Sequence, residues 1–255
     1  MNASEAIGPV ADGVPSHGRV PKYYAVKMRL LELIETLGVG GLLPTERELA
    51  ASHGVSRETV RQALRELVLE GRLRRQGRGT VVAGPKLEQP LSLGSYTEGM
   101  RRQGLRPGRR LIGFERTTAS PELASDLALE PGAPLLRMER VLYADEERVG
   151  LETTFLPGER FPRLEEEFEP DSSFYGFMRE RHGIHLTRGT ERIETVLATP
   201  REALLVGISP ALPMLLLNRV TSDQHGVPVE RCRQLFRGDR FSFSVDLNPE
   251  EQQPR

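Results

Sequence analysis

Arg57, Arg61 and Arg65 stand four residues apart, with Gln62 beside them, a spacing that puts three guanidinium groups on one face of a helix. Such a face suits a DNA major groove. Arginine pairs bidentately with guanine O6 and N7, glutamine with adenine N6 and N7, and each good contact discriminates by about 1–3 kcal/mol. Arg47 lies close enough upstream to reach the same groove or a phosphate. Arg78 sits in the run Gly77-Arg78-Gly79-Thr80, where flanking glycines let a backbone approach a minor groove or phosphate chain. The competing reading is a solvated, salt-bridged helix face, because Glu58 and Glu66 interleave with the arginines. The surrounding elements decide between the two.

Over residues 20–37 apolar side chains recur at Val26, Leu30, Leu33, Ile34 and Leu37, the period of an amphipathic helix, and glycines follow. Pro44-Thr45-Glu46-Arg47-Glu48 then supplies an N-cap threonine with a glutamate three residues on, the capping-box pattern. That short helix runs to about His53. Gly54 makes the turn, Ser56 caps a third helix whose inner side is Val60, Ala63, Leu64, Leu67 and Val68 and whose outer side is Arg57, Glu58, Arg61, Gln62 and Arg65, and Thr59 joins the residues expected at the DNA. Residues 73–76 and 80–83 read as two short strands around the Gly77–Gly79 tip. Helix, capped helix, glycine turn, helix with a basic face and basic hairpin make a winged helix-turn-helix.

Charge supports that division. The 255 residues carry 35 basic and 36 acidic side chains, a net −1 that taken whole argues against a nucleic-acid partner. Residues 19–86, however, hold 13 basic against 7 acidic residues, leaving 22 against 29 for the rest. A basic head is joined to an acidic body, the asymmetry of a polyanion-binding module with a second task. Cys232 is the single cysteine, which excludes an intramolecular disulfide and a thiolate metal cluster and points to a reducing, cytoplasmic compartment. Residues 1–18 read as a disordered tail rather than a signal peptide, and no apolar run approaches the roughly 18 residues of a membrane span.

Residues 85–93, with Pro85 and Pro90, lack periodicity and read as a linker between a DNA-binding domain at 19–84 and a second domain at 94–249, with a tail at 250–255. The second domain reads as strands at 109–118, 134–144, 149–156, 184–198, 214–223, 227–236 and 241–247. Helices are predicted at 95–103, 121–127, 173–182 and 200–206. Turn signals at Asp145-Glu146 and His225-Gly226 predict antiparallel hairpins, so the fold class is α+β on an antiparallel sheet. Catalytic chemistry has little to stand on. There is no nucleophile elbow, Walker loop or zinc-protease motif, the five histidines show no metal spacing, and no cofactor is expected. Glu165-Glu166-Glu167 reads as solvated surface.

Residues 43–50 (LPTERELA), 55–64 (VSRETVRQAL), Leu67, Glu70-Gly71 and 77–80 (GRGT) resemble the DNA-binding domain of the GntR family of bacterial transcription regulators. The resemblance implies DNA contacts at Arg47, Ser56, Arg57, Arg61 and the Gly77, Arg78, Gly79, Thr80 wing, a palindromic operator of the GT…AC type and a homodimer. Glu58 departs from the pattern, which has a small hydroxyl residue there; beside phosphate an acid weakens binding unless it reads a cytosine amine or pairs with Arg61 or Gln62.

Residues 93–104 (LGSYTEGMRRQG), 151–156 (LETTFL), 194–203 (ETVLATPREA), Pro228-Val229-Glu230 and 236–241 (FRGDRF) resemble the UTRA effector domain of the HutC subfamily, whose fold is that of chorismate lyase. Within that subfamily the chain is similar to the DasR/NagR-type regulators of N-acetylglucosamine use. The resemblance implies a phosphosugar effector, with its phosphate near Tyr96, Thr97, Arg140, Ser173 and Tyr175, sugar hydroxyls near Glu152 and Glu230, and Ser95 and Phe236 also among the effector-binding residues. Guanidinium, hydroxyl and amide groups suit a phosphate, and carboxylates accept from sugar hydroxyls. Leu142 replaces a second phosphate-facing arginine of the pattern, and Phe236 replaces a tyrosine that touches the sugar. A phosphosugar, a different or uncharged effector, and none at all therefore stay open. A chorismate-lyase-type enzyme fused to a DNA-binding head is the alternative class.

Overall fold

The structure, a computed structural model, describes residues 21–77 and 79–247. The expected tails at 1–18 and 250–255, and Arg78 at the hairpin tip, lie outside the described residues. The described chain forms two compact units, residues 21–68 with 72–83, and residues 69–71 with 84–247.

The first unit holds helices α1 (Lys22–Leu37), α2 (Glu46–His53) and α3 (Arg57–Leu69), then the antiparallel hairpin β1 (Leu73–Gln76) and β2 (Gly79–Val82). Its core gathers Val26, Leu30 and Ile34 from α1, Leu49 from α2, Val60, Ala63, Leu64 and Leu67 from α3, and Leu73 and Val82 from the hairpin. The helical spacing read in the sequence is thus the packing face, although Leu37, at the end of α1, is exposed. Truncating a leucine such as Leu64 here would cost about 2–5 kcal/mol through lost contacts and the cavity left behind. Thr45 and Glu48 close a complete capping box on α2, worth about 1 kcal/mol. Gly54, at φ 62°, supplies the left-handed residue that turns α2 toward α3.

In the second unit strands β4 (Pro107–Thr118), β5 (Pro134–Ala144), β6 (Glu147–Pro157), β7 (Leu186–Leu197), β8 (Pro213–Asp223) and β9 (Pro228–Arg237) form one antiparallel sheet of order β4-β5-β6-β9-β8-β7. Alternation along β5 divides its faces. Leu136 and Met138 meet α7 (Phe174–His182), whereas Leu135 meets α5 (Pro121–Leu127) and Val141 meets α8 (Pro200–Val206).

Two elements were absent from the sequence reading. A single turn of helix, α6 (Leu164–Glu167), carries the acidic run, and Arg116 binds Glu165 at 2.7 Å. The segment expected as a structureless linker contains strand β3 (Leu87–Pro90), paired in parallel with β10 (Phe241–Ser244). The correction has a local cause: Leu-Glu-Gln-Pro shows no useful alternation, and its partner lies at the far end of the chain. Together β3, β10 and α4 (Tyr96–Arg102) enclose a cluster with Leu142, Val149, Leu217 and Phe236.

Candidate functional site

The first unit presents the expected outer face of α3. Ser56 Oγ caps the helix, accepting from the Thr59 amide at 3.2 Å and meeting the Thr59 hydroxyl at 2.8 Å. Arg47, Arg57 and Arg65 are exposed, and Arg61 and Gln62 half-buried. The carboxylates do not leave these cations alone. Arg61 binds Glu46 at 3.1 Å and Glu58 at 3.0 Å, and Arg65 binds Glu58 at 3.1 Å. Glu58 thus clasps two of the three arginines from within their own helix. Arg47 and Arg57 make no salt bridge among the described residues. Hydrogen bonding from Arg61 holds the Glu46 carboxyl below its usual range, so both ends of that pair are charged at neutral pH.

At the wing, Gly77 has φ 56°, the left-handed geometry a hairpin tip asks of glycine, and Gly79 opens β2. Thr80, expected at the DNA, is instead buried, and its hydroxyl accepts from Arg75 at 2.9 Å.

The second unit contains a pocket on the α7 side of the sheet, with about 30 Å³ of room for the centres of water-sized molecules and a mouth open to solvent. Strand register explains its floor. Arg140, Glu152, Gln234 and Leu217 face one another across β5, β6, β9 and β8. The next row contributes Thr154, Cys232 and Arg219, and the one beyond it Glu230, opposite Thr221. The walls come from Ser95 and Tyr96 at the start of α4, Ser173 and Tyr175 around the start of α7, and Gln89, Pro90 and Phe243 of the β3–β10 ribbon.

The polar groups are mostly engaged with one another. Arg140 is 2% exposed and Glu152 5%; Arg140 Nε donates to Glu152 Oε1 at 3.0 Å and Nη2 binds the same oxygen. Gln234 donates to the other Glu152 oxygen at 2.8 Å. Burial pushes against charge on Glu152, but Arg140 and Arg109 outweigh it and keep the carboxyl below its ordinary range. Glu230 shows the opposite balance. Burial raises its carboxyl to about 7, and the Glu152 charge adds to that, against hydrogen bonds from Tyr175 at 2.5 Å and Thr221 at 3.2 Å. Burial likewise raises the Tyr175 hydroxyl and the Cys232 thiol, so both stay protonated at neutral pH. Arg219 is held by Glu191 at 3.0 and 2.9 Å.

Of the nine effector residues named from the sequence, Ser95, Tyr96, Arg140, Glu152, Ser173, Tyr175 and Glu230 line this pocket. Tyr96 does so with its ring, because its hydroxyl donates to the Tyr143 carbonyl at 2.8 Å. Ser173 Oγ caps α7 through the Gly176 amide. Thr97 stands behind the lining and accepts from Arg109 at 2.9 Å. Phe236, expected beside a sugar, is packed instead among Tyr96, Phe241 and Phe243, with ring centroids 6.3, 4.6 and 5.4 Å away. The replacement of a tyrosine there falls in the apolar core, not on the pocket wall. Sequence reasoning missed Arg109, Arg219, Gln234 and Gln89. The alternation Glu152-Thr154 and Glu230-Cys232-Gln234, which puts polar residues on one face of two adjacent strands, was the available signal for part of that set.

Among the described residues no helix is long and apolar enough to cross a membrane. Residues 22–82 match the family of bacterial regulatory proteins, gntR family, and residues 102–242 match the UTRA domain. The chain is 48% identical to the HTH-type transcriptional repressor PhnF of Mycolicibacterium smegmatis over 230 residues, 90% of this chain and 94% of that protein. It is 37% identical to the HTH-type transcriptional repressor NagR of Bacillus subtilis, covering 88% and 93%. A probable fructoselysine utilization operon transcriptional repressor of Escherichia coli is 29% identical, over 88% and 93%. The crystal structure of PhnF from Mycobacterium smegmatis superposes with a TM-score of 0.65, covering 88% of this chain and all of that one. With a gntR winged helix ahead of a UTRA domain, and repressors rather than enzymes as its relatives, the chain belongs to the GntR family of bacterial transcription regulators, as a HutC-type repressor with an effector-binding domain.

Proposed function

We propose that this repressor works as a homodimer on a palindromic operator and that an amino-sugar phosphate, N-acetylglucosamine 6-phosphate or glucosamine 6-phosphate, occupies its UTRA pocket and changes operator affinity. The regulated genes would serve sugar or amino-sugar use. Arg47, Ser56, Arg57, Thr59, Arg61, Gln62, Arg65 and the wing residues Gly77, Arg78 and Gly79 form the DNA-contacting set, with base reading on α3 and backbone contact at the wing. One short helix reads few base pairs, and a two-fold pair doubles the site.

The observation that carries the effector reading is the mixture of buried charged groups lining one pocket. Arg140, Glu152 and Glu230 lie on the same sheet face, and each is at most 5% exposed. A cation for a phosphate and carboxylates for hydroxyl or amine donors suit a phosphorylated amino sugar better than an apolar ligand. The relative named for fructoselysine utilization, a sugar–amine conjugate, fits the same hydroxyl- and amine-rich class.

Anisotropy of a labelled operator, titrated with protein at several concentrations of each phosphosugar, tests the reading. A coupling of the usual allosteric size changes operator affinity by about 5- to 150-fold. Operator binding indifferent to both phosphosugars at millimolar concentration would remove the amino-sugar assignment. A monomer on the operator in sedimentation would remove the dimer.

A further inference from the structure

Arg140, the arginine expected to face a phosphate, is nearly used up by the protein. Its Nε and Nη2 donate to Glu152, and Nη1 donates to the carbonyls of Pro170 at 3.1 Å and Ser172 at 3.3 Å. A guanidinium has five N–H donors, so about one is left for a ligand.

Arg109 is in the opposite condition. It lines the same pocket from β4, its Nη1 donates to Thr97 at 2.9 Å, and its buried Nε has no hydrogen-bond partner. It makes no salt bridge among the described residues. The guanidinium carbon lies 5.2 Å from the centre of the Tyr96 ring, which fixes the group in place without neutralising it. Burial and the neighbouring Arg140 charge bring its pKa down to about 10, so it is still a cation at neutral pH.

Register says what Arg109 replaces. It pairs directly with Leu142 across β4 and β5 and so stands on the same sheet face, while Leu142 itself is buried in the apolar cluster under α4. The cation absent at 142 is therefore offered from the adjacent strand. On the β3 wall of the same pocket the Gln89 side-chain oxygen is also buried without a partner. A buried donor on a cation and a buried acceptor, both unmet, specify a ligand with an anionic end and a hydroxyl or ammonium.

We propose that Arg109 is the residue that pairs with the phosphoryl group of the effector, and that Gln89 accepts from a hydroxyl or ammonium of the same molecule. This rests on the reading of the pocket as the effector site. Arg140, in this arrangement, positions Glu152 and the chain before α7 and adds only one donor.

Isothermal titration calorimetry of the full chain with inorganic phosphate and, separately, glucosamine 6-phosphate tests it. Arg109→Gln should weaken both by a common factor of about 10- to 100-fold, because both lose the same charge-assisted contact. Arg109→Lys, which keeps the charge but loses the fork, should fall between wild type and Arg109→Gln, and it decides the matter if the glutamine variant does not fold. Equal phosphate affinity in wild type and variants, or no phosphate binding by wild type at millimolar concentration, overturns the proposal. Arg109-dependent phosphate binding without any response to the amino-sugar phosphates upholds it and removes the amino-sugar reading instead.

Discussion

The arginines of the two units do opposite work with the same chemistry. On α3, Arg61 and Arg65 share Glu58 at the protein surface, with side chains 41%, 55% and 64% exposed. In the pocket of the second unit Arg140 and Glu152 form their pair with side chains 2% and 7% exposed. Water can replace either partner of the surface pairs at little cost, so they can open when a phosphate or base arrives. The buried pair has no such exchange, because opening it strands a charge in a poorly solvated interior. On the proposed reading, a face that meets DNA must release its cations on demand, whereas a pocket that takes an effector must hold its charges still while the ligand is fitted.

Glu152→Ala is the largest test of that contrast. Leaving Arg140 buried without its counter-charge should cost about 3–5 kcal/mol, read as a lower urea midpoint with an unchanged slope. A loss below 1 kcal/mol would make the pocket pair equivalent to a surface pair. Glu230 is the next. Its folded-state pKa of about 7 lies above the ordinary 4.5, so the folded state binds the proton more tightly than the unfolded chain. The associated stability is whole below pH 4.5 and is lost as pH rises through 7. Between pH 5 and 8 wild type should therefore lose up to about 3 kcal/mol relative to Glu230→Gln, whose profile is flatter. Glu152, Arg219, Tyr175 and Cys232 are the other titratable groups around Glu230, and burial keeps the last two protonated over this range. Identical pH profiles for the two proteins would show that Glu230 is ionised throughout.

On the DNA side, Arg61→Ala should weaken operator binding by about 10- to 100-fold and binding to unrelated duplex by much less, as measured by anisotropy at fixed salt. Equal losses on both would assign Arg61 to phosphate rather than base contact. The smallest effect is expected of Glu58→Gln. Thermal stability should not change measurably, because the pairs it breaks are exposed, while affinity for any duplex should rise severalfold as an acid is removed from the phosphate-facing side. A clear fall in melting temperature would mean that Glu58 organises α3 rather than only restraining its arginines.

The first unit was legible because its determinants are local. Thr45 and Glu48 are three residues apart, the inner side of α3 repeats every three or four residues, and the hairpin strands are joined by a short tip. The second unit was legible as strands and helices, but its site depends on which strands lie side by side. Arg109 in a strand reads as one more surface cation until its pairing with Leu142 is known. Phe236 erred the other way. Its position in a resembling motif suggested a ligand contact, and the packing of Phe241 and Phe243 from β10 put it in the core. β3 was invisible for the same reason, since the strand it pairs with lies near the other end of the chain.

The β3–β10 ribbon also fixes an order of assembly. Residues 21–83 include every described element of the DNA-reading unit, and all of them precede the UTRA sheet in synthesis. β3 follows them at once, yet it has no strand to pair with until Phe241–Ser244 are made. Gln89 and Pro90, the part of the pocket wall next to the DNA-reading unit along the chain, are thus seated last. A chain interrupted after Arg240 would keep the whole reader and all six strands of the main sheet while β3 went unpaired. On the proposed reading such a chain would be a DNA-binding head with an incomplete pocket wall, which makes β10 the strand whose loss would test whether DNA binding and ligand control come apart.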